Sequence, residues 1–141
     1  MGYDVLIVHP TVGWGGAEKT TLNIVEALSK NSFRVALTTN QERFQNAAKS
    51  KTSLMIDSFS GWFGTWSDIV KDIRKLARII KIIKPQVVLA MMPYGCFLTS
   101  LVRFFSQYRY TYIASPRGSA VSYLRNFVPE RYKRLKYRIF F

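Results

Sequence analysis

One cysteine, Cys96, is all the thiol this chain carries, which excludes an internal disulfide framework and a multi-cysteine metal site. A reducing, cytoplasmic setting is expected, with Cys96 itself a small buried hydrophobe. Carboxylates are scarce as well: 8 Asp and Glu stand against 21 Lys and Arg among 141 residues. No Asp-x-Asp-type cluster occurs, so no metal is expected. Long apolar runs are missing too. The most apolar stretch, 87–105, is broken by Pro93, Gly95 and Arg103. It divides into a strand and a helix rather than forming one membrane span of about 20 residues. Asp4 falls among the first residues and no basic leader precedes the first apolar run, so no signal peptide is expected. Low-complexity tracts and internal repeats are absent.

What remains is the composition of one globular domain. Hydrophobic residues make up 48% and charged residues 21%, enough for a sizeable core at this length. The formal net charge of +13 points to three partner classes: nucleic acid, anionic lipid and phosphorylated small molecules.

Residues 3–9 read as a buried strand, a short continuous apolar run stopped by Pro10. Residues 17–29 read as a helix, with Ala17, Leu22, Ile24, Val25 and Leu28 on one stripe. A second strand follows at 33–39, a short helix at 42–49 and a third strand at 53–56. The Gly- and aromatic-rich residues 58–65 read as a loop. Ser67 is the expected N-cap of a helix reaching Ile83, with Asp68 and Asp72 in the early turns that favour anions. Its apolar stripe is Ile69, Ile73, Leu76, Ile80 and Ile83, and Lys84-Pro85 stops it. Strands at 86–92 and 110–115 flank a helix at 94–105, and a basic helix is expected at 129–141.

Apolar strands alternating with helices specify an α/β fold, a doubly wound parallel sheet covered on both faces. Ligands belong at the carboxyl ends of its strands. Those ends carry His9 to Gly16, Thr39-Asn40, the residues after Asp57, Pro93-Tyr-Gly95 and Ser115 to Ser119. No strand follows the last helix, so residues 1–141 are expected to form a single domain that stops before its last strand.

The first strand runs into Gly13-Trp-Gly-Gly-Ala-Glu-Lys-Thr20. Strand, glycine turn and helix together make an anion site, because small residues admit a ligand to the N–H groups of the first helical turn. A dinucleotide site requires G-x-G-x-x-G and an acid closing the second strand. Here Glu18 takes the third glycine's place, and the second strand closes on Thr38-Thr39-Asn40. A phosphate-binding loop requires G-x-x-x-x-G-K-[ST], and the run departs from it only at Glu18, where a carboxylate would repel phosphate. Sugar transfer is the third chemistry. Glu18 also suits a helix start, where the dipole favours a carboxylate. Trp14, Trp62 and Trp66 either stack on a sugar ring or plug the packing.

Several stretches together resemble the N-terminal domain of the family 4 glycosyltransferases, a retaining group with the GT-B fold. They are Gly15-Gly-Ala-Glu-Lys19, the run from Leu28 through Thr39, Lys84-Pro-Gln-Val-Val-Leu89 and Ser115-Pro-Arg-Gly-Ser119. Gln86 stands where the family has an acid. The resemblance implies the acceptor-binding half of a two-domain enzyme that moves a sugar from a nucleotide-sugar to a glycan or lipid-linked acceptor in polysaccharide synthesis. It implies no cofactor beyond the donor itself. Arg117 would stand where many members have a histidine near the donor sugar. Arginine cannot serve as a base at neutral pH, so its catalytic part would be electrostatic, and Gly118 would keep that turn open. Gly15, Gly16, Glu18, Gly118 and His9 are then the substrate-binding candidates.

In the resembled family a second domain with paired glutamates holds most of the donor, and nothing in this chain corresponds to it. The 141 residues alone are therefore expected to be inactive without a C-terminal domain or partner subunit. Basic residues cluster from Arg103 onward and along Lys71, Arg74, Lys75, Arg78 and Lys81. Beside Tyr132, Leu135 and Ile139 they suit a surface resting on anionic lipid at the inner face of the membrane. The rival readings are a P-loop-like nucleotide-binding module and a basic nucleic-acid-binding module. No nucleic-acid motif accompanies the charge, so nucleic acid is not the expected partner.

Overall fold

The computed structural model describes residues 2–11, 14–49, 54–57 and 65–117. Within them β1 (Val5–Val8), α1 (Gly16–Lys30), β2 (Val35–Thr39), α2 (Glu42–Ala48), β3 (Leu54–Asp57), α3 (Trp66–Ile83), β4 (Val87–Met91), α4 (Met92–Phe105) and β5 (Thr111–Ser115) follow in order. The five strands form one sheet in the order β3-β2-β1-β4-β5. Every pairing is parallel, with Val5 opposite both Val35 and Val87. The strand order reverses beside β1, which puts the topological switch between β1 and β4.

Every residue of β1 and β2 is buried, as continuous apolar strands require when both faces are covered. Alternation divides β1 between two cores. Leu6 and Val8 join Ile69, Leu76, Ile80, Tyr94 and Leu98 under α3 and α4. Val5 and Ile7 join Val25, Leu37 and Phe44 under α1 and α2. At the β5 edge the cover thins, and Ile113 is exposed.

Several expected boundaries shift. The N-cap of α3 is Thr65 rather than Ser67, because Asp68 lies three residues on and completes a capping box with it. Asp68 Oδ2 accepts from the Thr65 N–H at 3.0 Å. Trp66 is therefore helical, not loop. Asp72 does not face solvent as a dipole complement; it is buried and accepts a 2.7 Å hydrogen bond from the Tyr94 hydroxyl of α4. Burial and this carboxylate together push the Tyr94 hydroxyl far above its usual range. The helix expected at 94–105 starts two residues earlier, since α4 follows β4 directly at Met92 with Pro93 in its first turn. Cys96 is half-buried rather than enclosed, its thiol donating to the Ala90 carbonyl at 3.4 Å. Gly13, Trp62, Gly118, the Gly-rich residues 58–64 and the expected basic helix at 129–141 lie outside the described residues.

Candidate functional site

At the carboxyl end of β1 the chain turns through Pro10 and Thr11 and re-enters as α1 at Gly16. Four polar side chains interlock beneath this turn. His9 is fully buried and Glu18 nearly so. Glu18 Oε1 accepts from Thr11 Oγ1 and lies 3.3 Å from His9 Nε2. Its Oε2 accepts from the Gly15 N–H at 2.7 Å. On the other side of the ring, His9 Nδ1 lies 2.8 Å from Thr21 Oγ1. An ionised carboxylate only accepts, so Nε2 carries the proton toward Glu18 and, in the neutral ring, Nδ1 accepts from Thr21. The tautomer thus follows from the network. Desolvation alone would raise the Glu18 carboxyl. The donors His9, Thr11 and Gly15 outweigh it and hold the group at about 2.

The turn is tied to its neighbours on both sides. The Thr11 N–H donates to Asn40 Oδ1 at the end of β2, at 2.8 Å. Gly95, in the first turn of α4, lies so close that a Cβ there would sit 2.9 Å from Pro10 Cδ and 3.0 Å from the Val8 carbonyl oxygen. Met92, the residue joining β4 to α4, holds a left-handed φ of 64°. Non-glycine residues adopt that region at a cost, and here it brings the start of α4 against the β1–α1 turn. A Cβ on Gly16, by contrast, would meet nothing within 4 Å. The start of α1 is therefore open at Gly16, where no side chain covers the N–H groups of the first turn.

Of the sequence candidates, the structure brings His9, Gly15, Gly16 and Glu18 together. Gly15 does not offer its N–H to a ligand as the glycine turn suggested, because Glu18 already takes it. Arg117 follows β5, exposed and with φ 34°, at the same edge of the sheet but two strands from β1. Trp14 packs as a plug, its ring 6.2 Å from Phe44 and covered by the Arg43 guanidinium at 5.0 Å. Trp66 is exposed at the start of α3. The sequence reading gave no role to Thr11, Thr21, Asn40 or Arg43. Of these Thr11 and Asn40 lie in the carboxyl-end stretches it marked, and Thr21 and Arg43 carried no signal.

No family model matches the sequence, and no curated protein matches it either. Solved structures match throughout its length. A glycosyltransferase from Rickettsia africae superposes with a TM-score of 0.69 at 16% identity, covering 95% of this chain and 33% of that one. The fold is that of a Rossmann-like GT-B half. The glycotransferase of kitacinnamycin gives 0.62 at 12% identity, over 99% of this chain and 39% of that one. A UDP-GlcNAc 2-epimerase from Neisseria meningitidis, bound to UDP-GlcNAc, gives 0.57 at 20% identity, over 94% and 37%. The chain thus spans between about a third and two fifths of the length of these three structures. At the carboxyl edge of the sheet the β1–α1 turn and the start of α4 stand side by side.

Proposed function

We propose that this chain is the acceptor-side half of a glycosyltransferase of the retaining, family 4 type, working with a donor-binding domain. The observation that carries the reading is the β1–α1 turn, with Gly16 bare at the helix start and the carboxylate of Glu18 folded inward. Such a wall lets a hydroxyl-bearing acceptor approach backbone N–H groups without a side chain intervening. In the transfer, the bond from the sugar's anomeric carbon to the diphosphate breaks and a bond to the acceptor oxygen forms. The acceptor's proton departs, and negative charge builds on the nucleoside diphosphate. Arg117, permanently cationic, is the group of this chain assigned to that charge, and Gly118 to the turn that presents it. His9 and Glu18 hold the wall rather than touch substrate. The acceptor is a glycan, free or lipid-linked, of a cell-surface polysaccharide.

Two measurements test this. Amide NMR of the chain titrated with glycan acceptors should move the signals of Gly16, Ala17 and Gly95. Incubation with nucleotide-sugars should give no turnover until a donor-binding domain is supplied. Robust transfer by the 141-residue chain alone, or glycan-induced shifts confined to other surfaces, refutes the assignment. The epimerase neighbour, bound to UDP-GlcNAc, supports a nucleotide-sugar as the second ligand but adds no residue of this chain to the reaction.

A further inference from the structure

The opposite end of the sheet, where β4 and β5 begin, has a character of its own. Phe104 and Phe105, on the last turn of α4, are 81% and 75% exposed. Their rings meet edge to face, 5.1 Å apart. Large apolar side chains so exposed, side by side, mark a contact surface rather than a packing accident. At the same end lies an open cavity of about 730 Å³, lined by Arg103, Arg109, Ser106, Tyr108, Tyr110 and Thr111 among others. A neighbouring apolar groove of about 480 Å³ runs between α3 and α4, lined by Ile73, Val102 and Phe105, with Lys81 at its edge.

Three details point to what this end receives. No carboxylate lines either hollow, and the charged side chains that do, Arg103, Arg109 and Lys81, are all cations. Arg103 and Arg109 make no ion pair among the described residues; Arg103 lies over the Tyr112 ring at 5.7 Å. Tyr110 is one of the lining residues, and its buried hydroxyl has no hydrogen-bond partner among the described residues. A buried hydroxyl left unpaired is costly, and a phosphate oxygen seated between the two arginines would satisfy it. Exposed aromatic rings bordering cationic anion sites are the chemistry of a protein that lies on a lipid surface. No helix among the described residues is long and apolar enough to cross a membrane, so the contact would be peripheral.

We propose that this end of the domain docks onto an anionic phospholipid bilayer. Phe104 and Phe105 enter the interface, and a lipid phosphate occupies the cavity formed by Arg103, Arg109 and Tyr110. The surface takes Arg103 and Arg109 from the basic stretch singled out in the sequence, adds Phe104 and Phe105 to them, and lies away from the β1–α1 turn. Five residues of β4 separate the two ends by about 17 Å. A docked molecule therefore holds that turn clear of the headgroups, open to an acceptor chain long enough to reach it. The proposal does not depend on sugar transfer, since its readout is lipid binding alone.

Sedimentation of the full 141-residue chain with phosphatidylcholine vesicles, with and without phosphatidylglycerol, tests it. Binding is expected only with the anionic lipid, and to weaken as salt rises. Arg103→Gln with Arg109→Gln should weaken it about 25-fold, about fivefold per arginine. Phe104→Ser with Phe105→Ser should weaken it roughly tenfold. Tyr110→Phe, which keeps the ring, should cost about fivefold. The charge-matched pair Lys19→Gln and Lys49→Gln, exposed on α1 and at the end of α2, should leave binding as in the parent. Circular dichroism and thermal melting confirm that each variant is folded. Equal binding to neutral and anionic vesicles overturns the proposal. So does parental binding by the arginine and phenylalanine variants, as when residues 118–141 cover this end or carry the contact themselves. Inorganic phosphate that shifts Tyr110 while anionic vesicles do not bind also overturns it.

Discussion

Replacing Glu18 by glutamine tests the interlocked turn directly. The substitution keeps the shape of the side chain and removes its charge. In the parent, the carboxyl falls from 4.5 to about 2 on folding, and at about 1.4 kcal/mol per pK unit this sets an upper value of about 3 kcal/mol. Allowing for solvent near a turn at the surface, about 2 kcal/mol is the working figure. The sign follows from the direction of the shift. A carboxyl whose folded pKa is depressed stabilises the fold fully above its unfolded value, and loses that contribution as pH falls toward the folded one. The difference between parent and Glu18→Gln should therefore be largest above about pH 5 and shrink steadily toward pH 2. Asp68, whose carboxyl is also lowered by its bonds to Thr65, remains in both proteins and cancels in the comparison.

The assay is urea unfolding followed by tryptophan fluorescence, repeated across that pH range. Trp14 reports locally, since it packs on Phe44 and Phe44 on His9, with ring centroids 4.9 Å apart. Glu18→Ala should cost more, about 3–5 kcal/mol, because it leaves donors of His9, Thr11 and Gly15 without an acceptor. A gap between parent and Glu18→Gln that stays constant from about pH 6 to pH 3 would refute the reasoning, since the charge would then contribute nothing.

Gly95→Ala should destabilise by about 1–3 kcal/mol in thermal melting, because its Cβ would meet Pro10 Cδ at 2.9 Å and the rigid Val8 carbonyl at 3.0 Å. Glycan-induced shifts at Gly16 should weaken with it if the two elements form one wall. Tyr94→Phe should cost about 1–3 kcal/mol in urea unfolding by removing a hydrogen bond to the buried Asp72; Asp72→Asn, which keeps an acceptor oxygen, should cost less. Thr65→Ala should remove about 1 kcal/mol and fray the start of α3 in amide exchange, whereas Ser67→Ala should be nearly silent.

The sheet was legible because its strands are short and apolar and β1 and β2 at its centre are buried on both faces, a pattern that does not depend on tertiary detail. The start of α3 was legible too, but through spacing rather than through the nearest capping residue. Thr65 and Ser67 both cap well, and only Thr65 has an acid three residues on. Asp72 carried a similar signal. Positions 69, 72, 76, 79 and 83 repeat at three and four residues, so Asp72 lies on the buried stripe and Ile73 beside it. Its partner Tyr94 is 22 residues away, and no local pattern links them. The glycine turn announced itself by composition, yet the inward fold of Glu18 did not, because His9, Thr11 and Thr21 converge only once β1 and α1 pack.

The inward carboxylate also decides which ligand the turn suits. A phosphate loop works by aiming several unoccupied N–H groups at an anion. Here Glu18 already takes the Gly15 N–H, and with its carboxyl at about 2 it stays charged at neutral pH. A phosphate at this spot would have to displace a carboxylate that three donors hold, or settle beside it and bear the repulsion. A sugar hydroxyl meets neither obstacle, since it can donate and accept in one group and carries no net charge. On the proposed reading, the same glutamate that spoils the turn as a phosphate cradle leaves it fit for a neutral acceptor, and anion binding falls to Arg117 and to a second domain.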